Sequence, residues 1–145
     1  MFVAMGGPTG SQGEKGDKGD KGDKGDTGSF QYIDRGDPSA EDFETGYFIK
    51  DNTWRDIDFS SIVPAGAVLI HCRILAVCNT ANKYFCFRKK GNVNNYNAAE
   101  GYIQLTTCSY GADIWVACDE NRKCQYRLAA ATWPTFNVRV AGWVL

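Results

Sequence analysis

Glycine occupies every third position near the start of the chain, at Gly7, Gly10, Gly13, Gly16, Gly19, Gly22, Gly25 and Gly28. Such a period is needed at the crowded axis of three polyproline-type chains wound together, where only a hydrogen side chain fits. A charged, disordered linker is the alternative. A linker has no reason to keep glycine in phase over eight successive triplets. The repeat therefore predicts that three copies of the chain associate.

This repeat resembles that of collagen, and the resemblance implies a triple-helical stalk over residues 7–29. Proline, which pre-sets the backbone for such a helix, occurs within the stalk only at Pro8. Charge could replace it, because Lys and Asp flank four successive glycines. The predicted interchain ion pairs use Lys15, Asp17, Lys18, Asp20, Lys21, Asp23, Lys24 and Asp26. Each exposed pair contributes only about 0.2–1 kcal/mol, and salt should weaken the network.

A stalk this short needs help to assemble. Eight triplets would form a rod of about 70 Å, and three separate chains lose several kcal/mol of translational freedom when they meet. Residues 30–145 are therefore expected to form a head that trimerises and sets the register of the stalk. Residues 1–6 are interpreted as an N-terminal remnant of a longer parent protein.

The head is predicted to be all-β. The segment VLIHCRILAVC alternates apolar residues with others, which is typical of a half-buried strand. Turn-forming segments such as PAG, KKGN, SYGAD and CDENRKC separate short candidate strands. These strands are predicted at 45–50, 54–59, 68–78, 84–91, 101–107, 113–118, 124–130 and 136–145. Seven or eight short strands in a domain of this size favour a β-sandwich or jelly roll.

A collagen-like stalk followed by such a head resembles the trimeric heads of the complement and tumour-necrosis-factor-like family. The segments WRDIDFSSIVPAGAVLIHCRIL, FRKKGN and VRVAGWVL are similar in style to C-terminal domains of bacteriophage and bacterial collagen-like proteins. The resemblance implies a homotrimeric structural fibre on a virion tail or an extracellular surface. The apolar final strand, GWVL, would then lie near the threefold axis.

Six cysteines lie in the head, at Cys72, Cys78, Cys86, Cys108, Cys118 and Cys124. None shows the spacing of a zinc site, so no metal is expected. Cys118 and Cys124 flank DENRK and could face each other across a hairpin, which makes them the best candidate disulfide. Free, buried thiols are the favoured alternative.

Catalysis finds little support in the sequence. A serine or cysteine nucleophile needs a base, and the single histidine, His71, lies within a predicted strand beside Arg73. A structural role or a subunit contact is the favoured interpretation of His71. The carboxylate pairs Asp56 with Asp58 and Asp119 with Glu120 are interpreted as solvent-facing rather than as a glycosidase pair. The protein is predicted not to be an enzyme and to need no cofactor.

Two segments could serve recognition. The loop GNVNNYN carries amides at Asn92, Asn94 and Asn95 beside Tyr96, which would suit a glycan, although such residues are also ordinary turn formers. The tripeptide RGD at 35–37 could bind a receptor, but it lies in a polar connector where a turn is the favoured interpretation. Trp143, Tyr126 and Phe136 are candidates for the core or the trimer axis.

The net charge and the distribution of apolar residues argue against nucleic acid and membrane as partners. The net charge is −1, which gives no basis for nucleic-acid binding, and no apolar run reaches the roughly 20 residues of a membrane span. Two compatible functions remain. The first is a structural trimeric fibre protein; the alternative is an adhesin head that binds a host receptor or glycan.

Overall fold

The computed structural model describes residues 10–11, 13–17, 19 and 28–145. Several residues of the predicted stalk lie outside this part of the chain, as does the N-terminal remnant at 1–6. The glycines outside it are Gly7, Gly22 and Gly25. The predicted ion-pairing residues outside it are Lys18, Asp20, Lys21, Asp23, Lys24 and Asp26.

The head is all-β, and no helix occurs within the described residues. Its strands are β1 (Tyr32–Asp34), β2 (Arg55–Asp58), β3 (Leu69–Val77), β4 (Lys83–Lys89), β5 (Ala98–Ile103), β6 (Tyr110–Ala117), β7 (Lys123–Leu128) and β8 (Thr135–Val144). They form two four-stranded antiparallel sheets. Sheet A has the order β1-β8-β3-β6, and sheet B has the order β2-β7-β4-β5.

The chain changes sheet at almost every connection. Only β4 and β5 are consecutive in sequence and hydrogen-bonded as neighbours; every other connection leads to the opposite sheet. Two antiparallel sheets joined in this way form a β-sandwich, and the order is compatible with a jelly roll. The predicted all-β sandwich is thereby confirmed.

The core lies between the two sheets, as the alternation in β3 predicts. Ile70, Cys72 and Ile74 are fully or almost fully buried, whereas Arg73 and Leu75 face outward. Sheet B contributes Phe85, Phe87 and Tyr126 to this core, and sheet A contributes Phe136. Neighbouring rings in this group have centroids 5.2–6.5 Å apart. Tyr126 and Phe136 are therefore core residues, and Trp143 is partly buried against the same core.

Two predicted strands and one predicted turn need correction, and one strand was not predicted. Residues 45–50 form turns and irregular chain, because this segment crosses from sheet A to sheet B and inserts Phe48 into the core. The strand predicted at 101–107 ends at Ile103, since its partner β4 begins opposite at Lys83. Strand β1 has only three residues, too few for a detectable pattern, and it exists through pairing with β8. The segment SYGAD lies largely within β6 rather than in a turn.

The two ends of the sandwich differ in what they carry. Gln31 and Leu145 exchange two backbone hydrogen bonds, so the chain enters the head beside its last residue. We call this the junction end. The loops at 59–68 and 118–122 lie there, and the loop at 90–97 leaves and re-enters sheet B there. The loops at 78–82, 104–109 and 129–134 lie at the opposite, far end.

Candidate functional site

The stalk glycines that the structure describes have no steric partner in their own chain. They are Gly10, Gly13, Gly16, Gly19 and Gly28, and a Cβ atom added at any of them would meet nothing within 4 Å. Lys15 and Asp17, the described members of the predicted ion-pair ladder, are exposed. Among the described residues, intrachain contacts therefore give no reason for glycine at these positions.

Strand β1 connects the stalk to sheet A. Its register places Tyr32 opposite Val144 and Asp34 opposite Gly142. Beyond the strand, the Arg35 amide donates to the Ala141 carbonyl over 2.9 Å. Residues 31–35 thus bind along β8 shortly after Gly28, so the chain enters the head at the β1 edge of sheet A.

An aromatic row crosses the outer face of sheet A from this edge. The Tyr32 ring lies over Gly142, where an added Cβ would stand 2.4 Å from the tyrosine hydroxyl. That hydroxyl is 3.2 Å from His71 Nδ1, and the His71 ring stacks on Trp115 with centroids 4.3 Å apart and an interplanar angle of 3°. Gly142 therefore lets Tyr32 reach across β8 to His71 on β3, which in turn stacks on Trp115 of the edge strand β6.

His71 is held by both of its ring nitrogens. Nε2 lies 3.0 Å from Asp113 Oδ1, which can only accept, so Nε2 carries the proton. In the neutral ring, Nδ1 then accepts from the Tyr32 hydroxyl. Arg73 Nε donates to the same Asp113 oxygen over 3.2 Å. Both ring nitrogens and one face of the His71 ring are therefore engaged within the head.

The RGD tripeptide is tied to the head rather than presented from it. Arg35 forms an ion pair with Asp42 and donates to the Val140 carbonyl over 3.2 Å. Gly36 adopts a φ of 89°, and its amide donates to Asp34 Oδ1. The arginine that a receptor would need is already bound within the head. The turn interpretation of this tripeptide therefore accounts for its contacts.

A second cluster, which sequence reasoning missed, lies on the outer face of sheet B. The Trp54 ring lies against two guanidinium groups, with Arg88 Cζ 4.0 Å and Arg127 Cζ 4.7 Å from its centroid. Arg127 also lies over the Tyr84 ring at 5.3 Å. No carboxylate forms an ion pair with either arginine among the described residues. Attraction between cation and ring replaces a salt bridge here.

The sequence does contain a signal for this cluster. Tyr84, Cys86 and Arg88 alternate with the core residues of β4, so all three face outward, and Arg127 has the same parity on the neighbouring strand. Burial, and then the nearby charge of Arg127, lowers the pKa of Arg88. What the sequence lacks is any indication that Trp54, which precedes β2, folds back over this face.

The predicted ligand loop is partly used to hold this cluster. The Asn94 carbonyl accepts from Arg88, and Asn95 Oδ1 accepts from Trp54 Nε1 over 3.2 Å. The Asn92 amide donates to the Lys89 carbonyl. Of the group predicted to bind a glycan, Tyr96 is fully exposed, whereas the Asn95 side chain and the Asn94 backbone carbonyl contact the Trp54 cluster.

A cleft of about 450 Å³ opens at the far end. It lies between the end of β5 and the start of β6, and Tyr102, Gln104, Leu105, Ser109 and Tyr110 line it. Tyr102 and Leu105 are more than half exposed. The cleft combines aromatic surface with an amide and a hydroxyl, which are the groups that contact sugars and peptides.

The candidate carboxylate pairs belong to surface contacts. Asp56 pairs with Lys90 and Asp58 with Lys123. The hydrogen bond from Lys90 lowers the pKa of Asp56, and the hydrogen bond from Ser60 lowers the pKa of Asp58. Both are therefore ionised at neutral pH, whereas the acid of a glycosidase needs a raised pKa.

The other carboxylate pair lies in a turn. Asp119 Oδ1 accepts from the Asn121 and Lys123 amides over 3.0 and 2.7 Å, and Glu120 is exposed beside it. Asp119 thereby shapes the connection between β6 and β7. Among the described residues, no group of three or more possible metal ligands is placed to hold an ion.

The six cysteines are free thiols, five of them buried and Cys108 exposed. The hairpin expected between Cys118 and Cys124 is wrong, because Cys118 follows β6 in sheet A and Cys124 lies in β7 of sheet B. Each thiol instead donates to a carbonyl, Cys118 to Ala67 over 3.2 Å and Cys124 to Ala117 over 3.4 Å. Desolvation raises the pKa of both thiols, which holds them in the protonated form.

Comparison with known proteins gives no match, either among protein-family models or among curated proteins. Within the described residues, no helix has the length and apolar character needed to cross a bilayer. The function must therefore be argued from the stalk repeat, the junction and the surfaces of the head.

Proposed function

We propose that this chain is one subunit of a homotrimeric structural fibre protein, in which the head trimerises and sets the register of a collagen-like stalk. Three chains wind together over residues 7–29, and the heads at 30–145 hold their ends. The protein would belong with collagen-like fibre proteins of bacteriophages or bacterial surfaces. Its place would be a virion tail fibre or an extracellular appendage.

The observation that carries this proposal is the unbroken glycine period next to the junction. A Cβ atom added at any described stalk glycine would meet nothing within 4 Å in its own chain, so packing within one chain does not account for the repeat, whereas packing against two further chains would. The repeat ends at Gly28, and β1 begins only four residues later at Tyr32. A sandwich that starts so close to the stalk is well placed to fix three strands against each other.

The decisive experiment is the mass of the full chain in solution. We expect light scattering to give three times the chain mass of 16.0 kDa, together with the circular dichroism signal of a triple helix that melts on heating. A monomer in dilute native buffer would refute the proposal. A trimer without any triple-helix signal would refute the stalk assignment and leave the trimeric head.

The far-end cleft favours a second candidate function, which is binding of a receptor or glycan by the head. The cleft lies opposite the stalk, where a fibre would meet a surface, and Tyr102 and Tyr110 expose aromatic rings in it. Three copies of a weak site would act together through avidity. The loop that carries Tyr96 joins the sheet at the junction end and is the less favourable location for first contact.

A glycan array tests this second candidate. We expect Tyr102→Ala to abolish any binding that the native protein shows, since stacking on an aromatic ring is lost. Tyr96→Ala serves as the control, because Tyr96 is a still more exposed tyrosine on the predicted loop. Loss of binding only in the Tyr96 variant would assign recognition to residues 92–96 instead.

A further inference from the structure

Exposed apolar side chains gather where the stalk meets sheet A. Phe30 is 82% exposed, Val68 47%, Trp115 46%, Tyr32 43% and Leu145 41%. We call these five residues the junction patch. Tyr32 and Trp115 lie on the outer face of sheet A, whereas Val68 and Leu145 lie where this sheet ends at the junction. Exposed large apolar side chains concentrated in one region of a monomer mark an interaction surface.

Two of these side chains are fixed in place before any partner binds. Tyr32 lies over Gly142 with its hydroxyl near His71 Nδ1, and Trp115 stacks on one face of the same imidazole. The Tyr32 and Trp115 rings are 5.5 Å apart. Because their rotamers are set within the head, ordering them at an interface costs little additional entropy.

Chain length limits how far the patch can lie from the stalk. Glycine sits at the axis of a triple helix, and Tyr32 is four residues beyond Gly28. An extended chain covers about 14 Å in four residues, so the Tyr32 Cα lies within about that distance of the axis position of Gly28. Phe30, two residues beyond Gly28, lies within about 7 Å by the same measure.

Backbone pairing brings the rest of the patch to the same place. Leu145 is hydrogen-bonded in both directions to Gln31, and the Val68 amide donates to the Val144 carbonyl over 2.9 Å. Val68 and Leu145 are thus held beside the residue that precedes Tyr32. The junction patch is confined to the region around the stalk axis.

We infer that the junction patch packs around the threefold axis against the junction patches of two further copies of this chain, an inference that rests on the proposed homotrimer. The stalk is the reason to choose a second copy as the occupant. It would hold the other two heads at an effective concentration in about the millimolar range, so identical patches meet before any other protein reaches them. Phe30, Tyr32 and Trp115 then supply aromatic anchors for the interface.

The test uses charge substitutions in the full chain, measured by light scattering over a dilution series. Trp115→Lys and Val68→Lys should each raise the concentration at which the trimer dissociates by about tenfold or more, as expected when a central contact is lost. Tyr102→Lys is the matched control, because Tyr102 is an aromatic residue of similar exposure on sheet B at the far end. It should leave dissociation unchanged.

Separate measurements check that each variant head is folded and that three stalk ends meet. Circular dichroism and cooperative melting establish that each head is folded, and Val68→Lys decides the matter if Trp115→Lys unfolds the head, since Val68 lies outside the buried core. Phe30→Cys in a Cys108→Ser background, treated with a short bismaleimide, reports whether three stalk ends meet at all.

The outcomes separate the two proposals. Cross-linked Phe30→Cys together with weakened trimers in both patch variants supports the inference. Cross-linking with unchanged dissociation in Val68→Lys and Trp115→Lys overturns the inference but not the homotrimer. The junction patch would then be open to a different partner. A native protein that is monomeric and does not cross-link through Phe30→Cys overturns the homotrimer itself, and the inference with it.

Discussion

The Tyr32 ring lies directly across Gly142, so close that a methyl group on this glycine would stand 2.4 Å from the hydroxyl and 2.5 Å from the Ile33 carbonyl. One of these two atoms is backbone and cannot rotate away. The docking of β1 on β8 therefore depends on the absence of a side chain at one position in β8.

Gly142→Ala should destabilise the head by about 1–3 kcal/mol, because β1 must shift or Tyr32 must leave His71. Chemical denaturation measures the change. Gly111→Ala is the matched control, since it also places a methyl group in a strand of sheet A but meets nothing within 4 Å. It should change stability by no more than about 0.5 kcal/mol. Equal effects from the two variants would contradict the proposed role of Gly142.

Gly19→Ala tests the stalk. Within one chain, the added methyl group meets no atom among the described residues. Any loss therefore reports contact with other chains. We expect a lower melting temperature for the triple-helix signal and an unchanged head transition. Ser11→Ala, a neighbouring exposed position that is not a repeat glycine, should leave both transitions in place. Unaltered stalk melting in Gly19→Ala would count against the triple helix.

Trp54→Ala should destabilise the head by about 1–3 kcal/mol, because it removes the aromatic ring that contacts both Arg88 and Arg127. Trp54→Phe keeps an aromatic face and loses only the hydrogen bond to Asn95, so it should cost less. A double-mutant cycle of Trp54 with Arg127 isolates the cation–π contribution. A coupling energy of zero would show that the ring acts only by covering surface.

Because of Cys86, we expect the free energy of unfolding of the head to fall as the pH rises through the alkaline range. Burial raises its pKa from 9.0 to about 11, with Glu100 adding to the shift and Arg127 opposing it. The folded state therefore retains a proton that the unfolded state has lost. The stability contribution is complete below about pH 9 and disappears as pH rises through 11. Urea denaturation across this range should show falling stability.

Cys86→Ala should make that pH dependence shallower, while Cys108→Ala should not, because Cys108 is the exposed cysteine. Alkylation gives an independent measurement. At pH 8, Cys108 should be modified first, and the five buried thiols should react only on unfolding. Rapid modification of Cys86 in the folded head would contradict the protonated, buried thiol.

Sequence patterns predicted those parts of the fold in which a regular pattern, such as apolar alternation, runs through a whole strand. Alternation placed Ile70, Cys72 and Ile74 inside, and the spacing of strands predicted a sandwich. The strand prediction at residues 45–50 was wrong. Tyr47, Phe48 and Ile49 have the composition of a strand, but the chain crosses there from one sheet to the other and pairs with neither. Propensity describes a residue's fit to a pleated surface and carries no information on whether a partner strand is within reach.

The surfaces were harder to predict than the core, for a physical reason. Trp54 and Arg127 are 73 residues apart in the chain, and their contact depends on how β2 pairs with β7. Tyr32, Gly142, His71 and Trp115 come from all four strands of sheet A. Alternation can assign each to a face, but only the strand order makes them neighbours.

The pairing of Gln31 with Leu145 also determines how the head would bear mechanical load. A pull on the residues before Phe30, directed away from the head along β1, acts parallel to that strand. The hydrogen bonds between residues 31–35 and β8 would then be strained together in shear, rather than opened one after another. Tyr32, wedged over Gly142 and bonded to His71, would resist the same sliding movement. A strand of three residues could in this way transmit tension from a fibre to its head without peeling from the sheet.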